Sequence, residues 1–174
     1  MSDLDLLNQS LAGEHFAIAA YDAALGSGLL DGPTAEVARA FQSDHKTHRD
    51  LLTEQVVGRD GTAVSPLGAD DYAKSYPPLT TKAEIVAYAT ELEAAAARAS
   101  TASVAGYEDR KLALLAAQIG GVEAQHWATL LAATGANPVP SPIIEVDDMT
   151  FTDYAATSTI PAAPRDRDPG EPKG

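Results

Sequence analysis

Glu and His residues interrupt helical stripes of apolar side chains at several points in this 174-residue chain. Glu123 and His126 fall in the run Leu112, Leu115, Ile119, Glu123, His126, Leu130, whose steps of three and four put it on one helix face. Glu14 breaks a similar run through Leu4, Leu7, Leu11, Ile18, Tyr21 and Leu25. His48 lies on or near a stripe with Val37, Phe41, Leu52 and Val56, and Glu93 lies near a face with Val86, Ser100 and Val104. An unpaired carboxylate inside a protein is costly, so a core Glu needs a cation, a metal or a shared proton. Carboxylates and neutral imidazoles that converge in an apolar interior are suitable ligands for iron, manganese or zinc.

Helical bundles that hold two metals through carboxylates take one Glu from each of two helices and a Glu-x-x-His from each of the other two. Glu14 and Glu93 fill the first role, and Glu123-x-x-His126 supplies one copy of the second. The other copy retains His48, but three residues before it, where a Glu is expected, stands His45, preceded by Asp44. A bridging Glu holds two cations and neutralises one unit of their charge; a neutral imidazole ligates one and neutralises none. A second cation would meet extra repulsion in a low-dielectric interior. The expectation is therefore at most one tightly bound metal, held mainly by Glu14, Glu123 and His126. Asp44, four residues before His48, is placed to share its face. The competing reading is a metal-free bundle serving as a structural or stress-related interaction module. Glu-x-x-His is common by itself, and hydrogen bonds to Asp44 or Glu14 would serve His45 and His48 equally well.

Four helices must position these groups. Helix A carries Glu14 and stops at Gly26, Gly28 and Asp31-Gly32-Pro33. Helix B runs from about Thr34 to Val57 and Gly58 closes it. Helix C opens at Thr81, which has a capping-box partner in Glu84, and ends near Gly106. Helix D runs from about Asp109 to a stop at Gly135 and Pro138. Within it, Gly120-Gly121 suits close helix packing or a π-bulge. Residues 58–81, rich in Gly and Pro, form a long connection between B and C. Extended at up to about 3.3 Å per residue, that connection can travel the length of the bundle. It predicts a crossover on the outside of the bundle, with B and C parallel.

Composition narrows the partners. A formal net charge of −13 repels phosphate backbones and anionic lipid, so neither nucleic acid nor membrane is expected. With no Cys, disulfides and thiolate sites are excluded. The start Met1-Ser2-Asp3-Leu4-Asp5 lacks a basic n-region and an apolar h-region, and no apolar run approaches a bilayer span. The expected location is cytoplasmic, and a homo-oligomer is compatible with everything above.

The chain also resembles the bacterial ferritin-like proteins of the desiccation-related type, and more loosely the rubrerythrin and manganese-catalase branches. The resemblance spans about residues 3–142. It rests on Asp5-Leu6-Leu7-Asn8 leading to Leu11, Glu14 and Tyr21, on His45 to His48 followed by Leu51-Leu52, and on Leu92-Glu93. Its strongest piece is Ala117-Gln118-Ile119-Gly120-Gly121-Val122-Glu123-Ala124-Gln125-His126. It implies an all-α, ferritin-like four-helix bundle over residues 1–142. It also implies metal ligands at Glu14, His48, Glu93, Glu123 and His126, iron or manganese as the metal, and oxygen, peroxide or stress-related chemistry. At His45 the family's usual Glu is missing, and no aromatic follows Glu93 at the usual place.

Residues 143–174 are expected to form a Pro-rich tail, with Phe151 and Tyr154 placed to anchor part of it and mobility expected beyond about Ile160. Truncation after Ala156 is expected to leave the melting temperature almost unchanged, which thermal unfolding of the two chains checks.

Overall fold

Local capping chemistry sets the helix ends. In the computed structural model, which describes residues 1–144 and 146, helix α1 spans Asp3–Gly26. Its Ser2 hydroxyl accepts from the Asp5 amide while the Asp5 carboxylate accepts from the Ser2 amide, so two amides without helical partners are satisfied. Helix α2, Gly32–Val57, begins under the Asp31 carboxylate with Pro33 in its first turn. Helix α4, Lys82–Ser103, opens with the expected Thr81/Glu84 capping box. A short 3-10 turn at Val104–Gly106 and an Asp109 cap lead into α5, Arg110–Ala133. Gly135, at φ 78°, takes the left-handed conformation that lets the Ala136 amide turn back to the Leu131 carbonyl and close α5. The crossover holds one element that its irregular sequence did not announce, the single-turn helix α3 at Ala69–Ala73.

Helices α1 and α2 pack as one hairpin and α4 and α5 as another. Ion pairs at opposite ends of the bundle fix how the hairpins meet. Asp31, the cap of α2, pairs with Lys82, the first residue of α4. At the other end Arg59, just beyond α2, pairs at 2.6 Å with Asp109, the cap of α5. Helices α2 and α4 are therefore parallel, as the crossover length predicts. Helix α1 runs against α4: the Asp3 carboxylate accepts the Glu108 and Asp109 amides at 2.8 and 3.0 Å.

The crossover lies along α1 from one end to the other. Gly61 sits against Leu4, where a Cβ would come within 2.7 Å of the leucine side chain. The Asn8 amide then clips the strap by donating to the Thr62 carbonyl and accepting from the Val64 amide. Further along, Tyr72 and Tyr76 set their rings edge-on against Phe16, and Leu79 reaches the Tyr21–Ala24 level. The tail expectation, including Phe151, Tyr154 and everything beyond Ile160, lies outside the described residues.

The core is divided in two. One apolar cluster gathers Leu6, Leu7, Leu11, Leu52, Val56, Leu112 and Ile119. The other gathers Phe16, Tyr21, Phe41, Tyr88, Leu92 and Leu130. Among the described residues no helix is long and apolar enough to cross a membrane. Val37, placed on the α2 stripe by its spacing, is exposed instead.

Helix α5 passes through Gly120-Gly121 without a π-bulge, and the two glycines do different things. A Cβ on Gly120 would stand 3.2 Å from Thr101 Oγ1 and 3.3 Å from Ser100 Cβ on α4, whereas one on Gly121 would meet nothing within 4 Å. Gly120→Ala is expected to destabilise the fold by about 1–2 kcal/mol through overpacking, and Gly121→Ala to stabilise it by up to about 1 kcal/mol. Urea unfolding of the two variants decides; equal effects would refute the assignment.

Candidate metal centre

Between the two apolar clusters, every helix of the bundle contributes polar side chains. Helix α1 gives Glu14, one turn after buried Leu11. Helix α2 gives His45 and His48, α4 gives Glu93, and α5 gives Glu123 and His126. All six are buried, and His45, Glu93 and Glu123 are 0% exposed. The five residues expected as ligands thus come together, and His45 stands among them.

The contacts form two overlapping groups of candidate ligands, Glu14–His45–His48–Glu123 and His45–Glu93–Glu123–His126. Around His45, Nδ1 lies 2.8 Å from Glu14 Oε2 and 3.5 Å from Glu123 Oε1, while Nε2 lies 3.2 Å from Glu93 Oε1. Glu123 turns one oxygen to each side. Its Oε1 is 2.8 Å from His48 Nδ1 and its Oε2 is 3.3 Å from His126 Nδ1. Neither oxygen is lined up with a donor for a hydrogen bond, and nor is His48 Nδ1, although all three atoms are buried.

Further residues hold the ligands in place. Tyr21 donates a hydrogen bond to Glu93 Oε1. His126 stacks on Phe41 with ring centroids 3.9 Å apart and presents Nε2 to Asp44 Oδ2 at 3.0 Å. With Nε2–H donated to Asp44, Nδ1 faces Glu93 Oε2 at 3.1 Å and Glu123, so Asp44 sets the direction of the ring from the side away from the cluster. Spacing alone put Asp44 on the face of His48. The packing of α5 against α2 instead gives it to His126, with the Asp44 side chain 51% exposed.

The electrostatics follow from three buried carboxylates sharing so small a volume. Burial pushes the Glu14 carboxyl above its ordinary value, against the hydrogen bond to His45. For His45 burial acts downward, but the Glu123 charge and the bonds to Glu14 and Glu93 outweigh it and hold the ring well above its usual range. Burial of Glu123 acts upward and is outweighed by the His45 charge and the adjacent imidazoles, which keep it well below the carboxylate range. His126 is pushed up to about 10 by Glu123 and Glu93, against the effect of burial. Burial and the Glu93 carboxylate together raise the Tyr21 hydroxyl well above its ordinary value.

A family model described as a ferritin-like domain matches residues 2–136. The chain belongs to the ferritin-like family. No curated protein is significantly similar to it. In this ferritin-like chain the donor set fits a metal on geometric grounds. Ligand atoms at bonds of about 2.1 Å stand about 3.0 Å apart along an octahedral edge and about 3.4 Å along a tetrahedral one. The N···O separations here, 2.8 to 3.6 Å, cover both. The orphaned Glu123 oxygens and His48 Nδ1 are the atoms a cation would take up.

The omission of His45 from the expected ligands had a readable signal. Phe41, His45, His48, Leu52 and Val56 follow one another at steps of four, three, four and four, so His45 is in the α2 stripe as fully as His48.

The His126 ring binds its proton more tightly folded than unfolded. Its contribution to stability is full below the ordinary value of 6.5 and is lost as pH rises through about 10. Chelator-treated protein is therefore expected to melt at progressively lower temperature across that window, and His126→Gln to flatten the slope. Thermal unfolding at stepped pH checks both.

Proposed function

We propose that this chain is a ferritin-like metal-binding protein whose cluster takes up iron or manganese. The observation that carries the reading is Glu123: a carboxylate 0% exposed that turns one oxygen to His48 at 2.8 Å and the other to His126 at 3.3 Å, in a cluster with two further buried carboxylates. Glu14, His48, Glu93, Glu123 and His126 would hold the metal, with His45 beside them. Iron or manganese held there would supply one-electron chemistry toward oxygen or peroxide, as the desiccation-related resemblance implies. The protein's part is to fix Glu93 through Tyr21, to orient His126 through Asp44 and Phe41, and to keep bulk water out with the two apolar clusters.

A second reading, the metal-free interaction module, draws on one observation. A ring carrying both protons at His45 would donate to Glu14 and Glu93 at once and so tie three helices together without a cation.

Elemental analysis of protein purified without chelator separates the two. The metal-binding reading expects bound iron or manganese. It also expects chelated protein to gain about 2.7 kcal/mol of stability when manganese is supplied at a hundredfold excess over its dissociation constant. Glu123→Gln, nearly isosteric, is expected to abolish most of that gain. No metal in the purified protein and no manganese-dependent shift in melting would establish the metal-free bundle.

A further inference from the structure

A single cation is expected only where an imidazole offers one ligating nitrogen, and His45 has both of its ring nitrogens among carboxylates. Its Nδ1 faces Glu14 and one oxygen of Glu123, and its Nε2 faces Glu93. The two candidate groups share only His45 and Glu123, and each has a terminal imidazole of its own, His48 in one and His126 in the other. Both ring nitrogens of His45 are buried among carboxylates, so neither is turned to solvent.

We propose that His45 bridges two cations as an imidazolate, with Nδ1 on the cation among Glu14, His48 and Glu123 and Nε2 on the cation among Glu93, Glu123 and His126. This rests on the metal-binding reading above and goes beyond it in number, bridge and charge. The ring's protons pass to solvent as the two cations take their places, and nothing is oxidised or reduced. Once deprotonated, His45 carries the single negative charge of the Glu it replaces. Three carboxylates and one imidazolate then balance two divalent cations, so the repulsion expected from a neutral ring does not arise. Glu123 would offer one oxygen to each cation, as its Oε1 faces His48 of one group and its Oε2 faces His126 of the other.

The bridge also changes what the pair can do. Two metal–nitrogen bonds of about 2.0 Å set across an imidazole ring hold cations about 6 Å apart, against about 3.5–4 Å in two-metal sites that clamp a reacting group between them. Such a pair cannot share one small ligand atom. The two cations act as neighbouring single sites.

Zinc, which is diamagnetic, serves as the probe. Chelated full-length protein carrying 15N-labelled histidine is loaded with zinc, the zinc-to-chain ratio is measured by elemental analysis, and proton–nitrogen spectra report all four histidines. The expected result is two zinc ions per chain, with both His45 nitrogens metal-shifted and free of protons. His48 and His126 each keep one ring proton. His45→Gln, which also assigns the His45 signals, is expected to saturate at one zinc. Should that variant fail to fold, His48→Gln and His126→Gln assign His45 by elimination and the wild-type spectrum still decides. A single zinc at saturation, or two zinc ions with a proton remaining on His45, overturns the bridge and leaves the metal-binding reading standing. No zinc bound at all defeats that reading itself.

Discussion

Three carboxylates buried in the middle of a narrow bundle are the constraint on which the rest of this structure depends. Glu14, Glu93 and Glu123 come from three helices and meet away from water. Moving one isolated carboxylate into such a place costs several kcal/mol even after relaxation, and three would repel one another as well. Positive charge has to be present, as protons on imidazoles or as cations. Helices α2 and α5 supply the imidazoles beside the carboxylates, so that protons on His45 and His126 offset part of the buried negative charge.

The apolar parts serve that layer from both sides. Leu7, Leu11, Leu52 and Leu112 seal one end, and Phe16, Phe41, Tyr88 and Leu92 seal the other. By excluding water they raise every charge interaction between them. The crossover has a related role. Clipped by Asn8 and stacked through Tyr72 and Tyr76 on Phe16, it covers the outer side of α1, the helix that carries Glu14. It also permits α2 and α4 to run parallel, which sets His45 beside Glu93 at the same height in the bundle.

Some ligand-holding contacts connect the interior with the surface. His126 has one nitrogen among the buried carboxylates and the other on half-exposed Asp44, while its ring rests on Phe41. The side chain is held at three points by two other helices, α2 through Asp44 and Phe41 and α4 through Glu93. Contacts of this kind fix the direction of the ring from outside the cluster.

The sequence by itself determined the four long helices, the Thr81/Glu84 cap and five of the six clustered side chains, because apolar spacing and capping chemistry are local. Thr81 with Glu84, Pro33 after Asp31, and Glu123-x-x-His126 are legible over a few residues. The length of residues 58–81 also determined the parallel arrangement of α2 and α4, since a chain so long beside two tight turns has room only to cross over. What the tertiary structure decided were the pairings between helices. Spacing placed Asp44 with His48, and packing gave it to His126 on α5. Spacing placed Val37 in the core, but the α2 stripe drifts around the helix and Val37 emerges at the surface. His45 lay in the stripe all along. Whether its second nitrogen met water, an apolar wall or Glu93 depended on where α4 stands, a distance that no run of residues encodes locally.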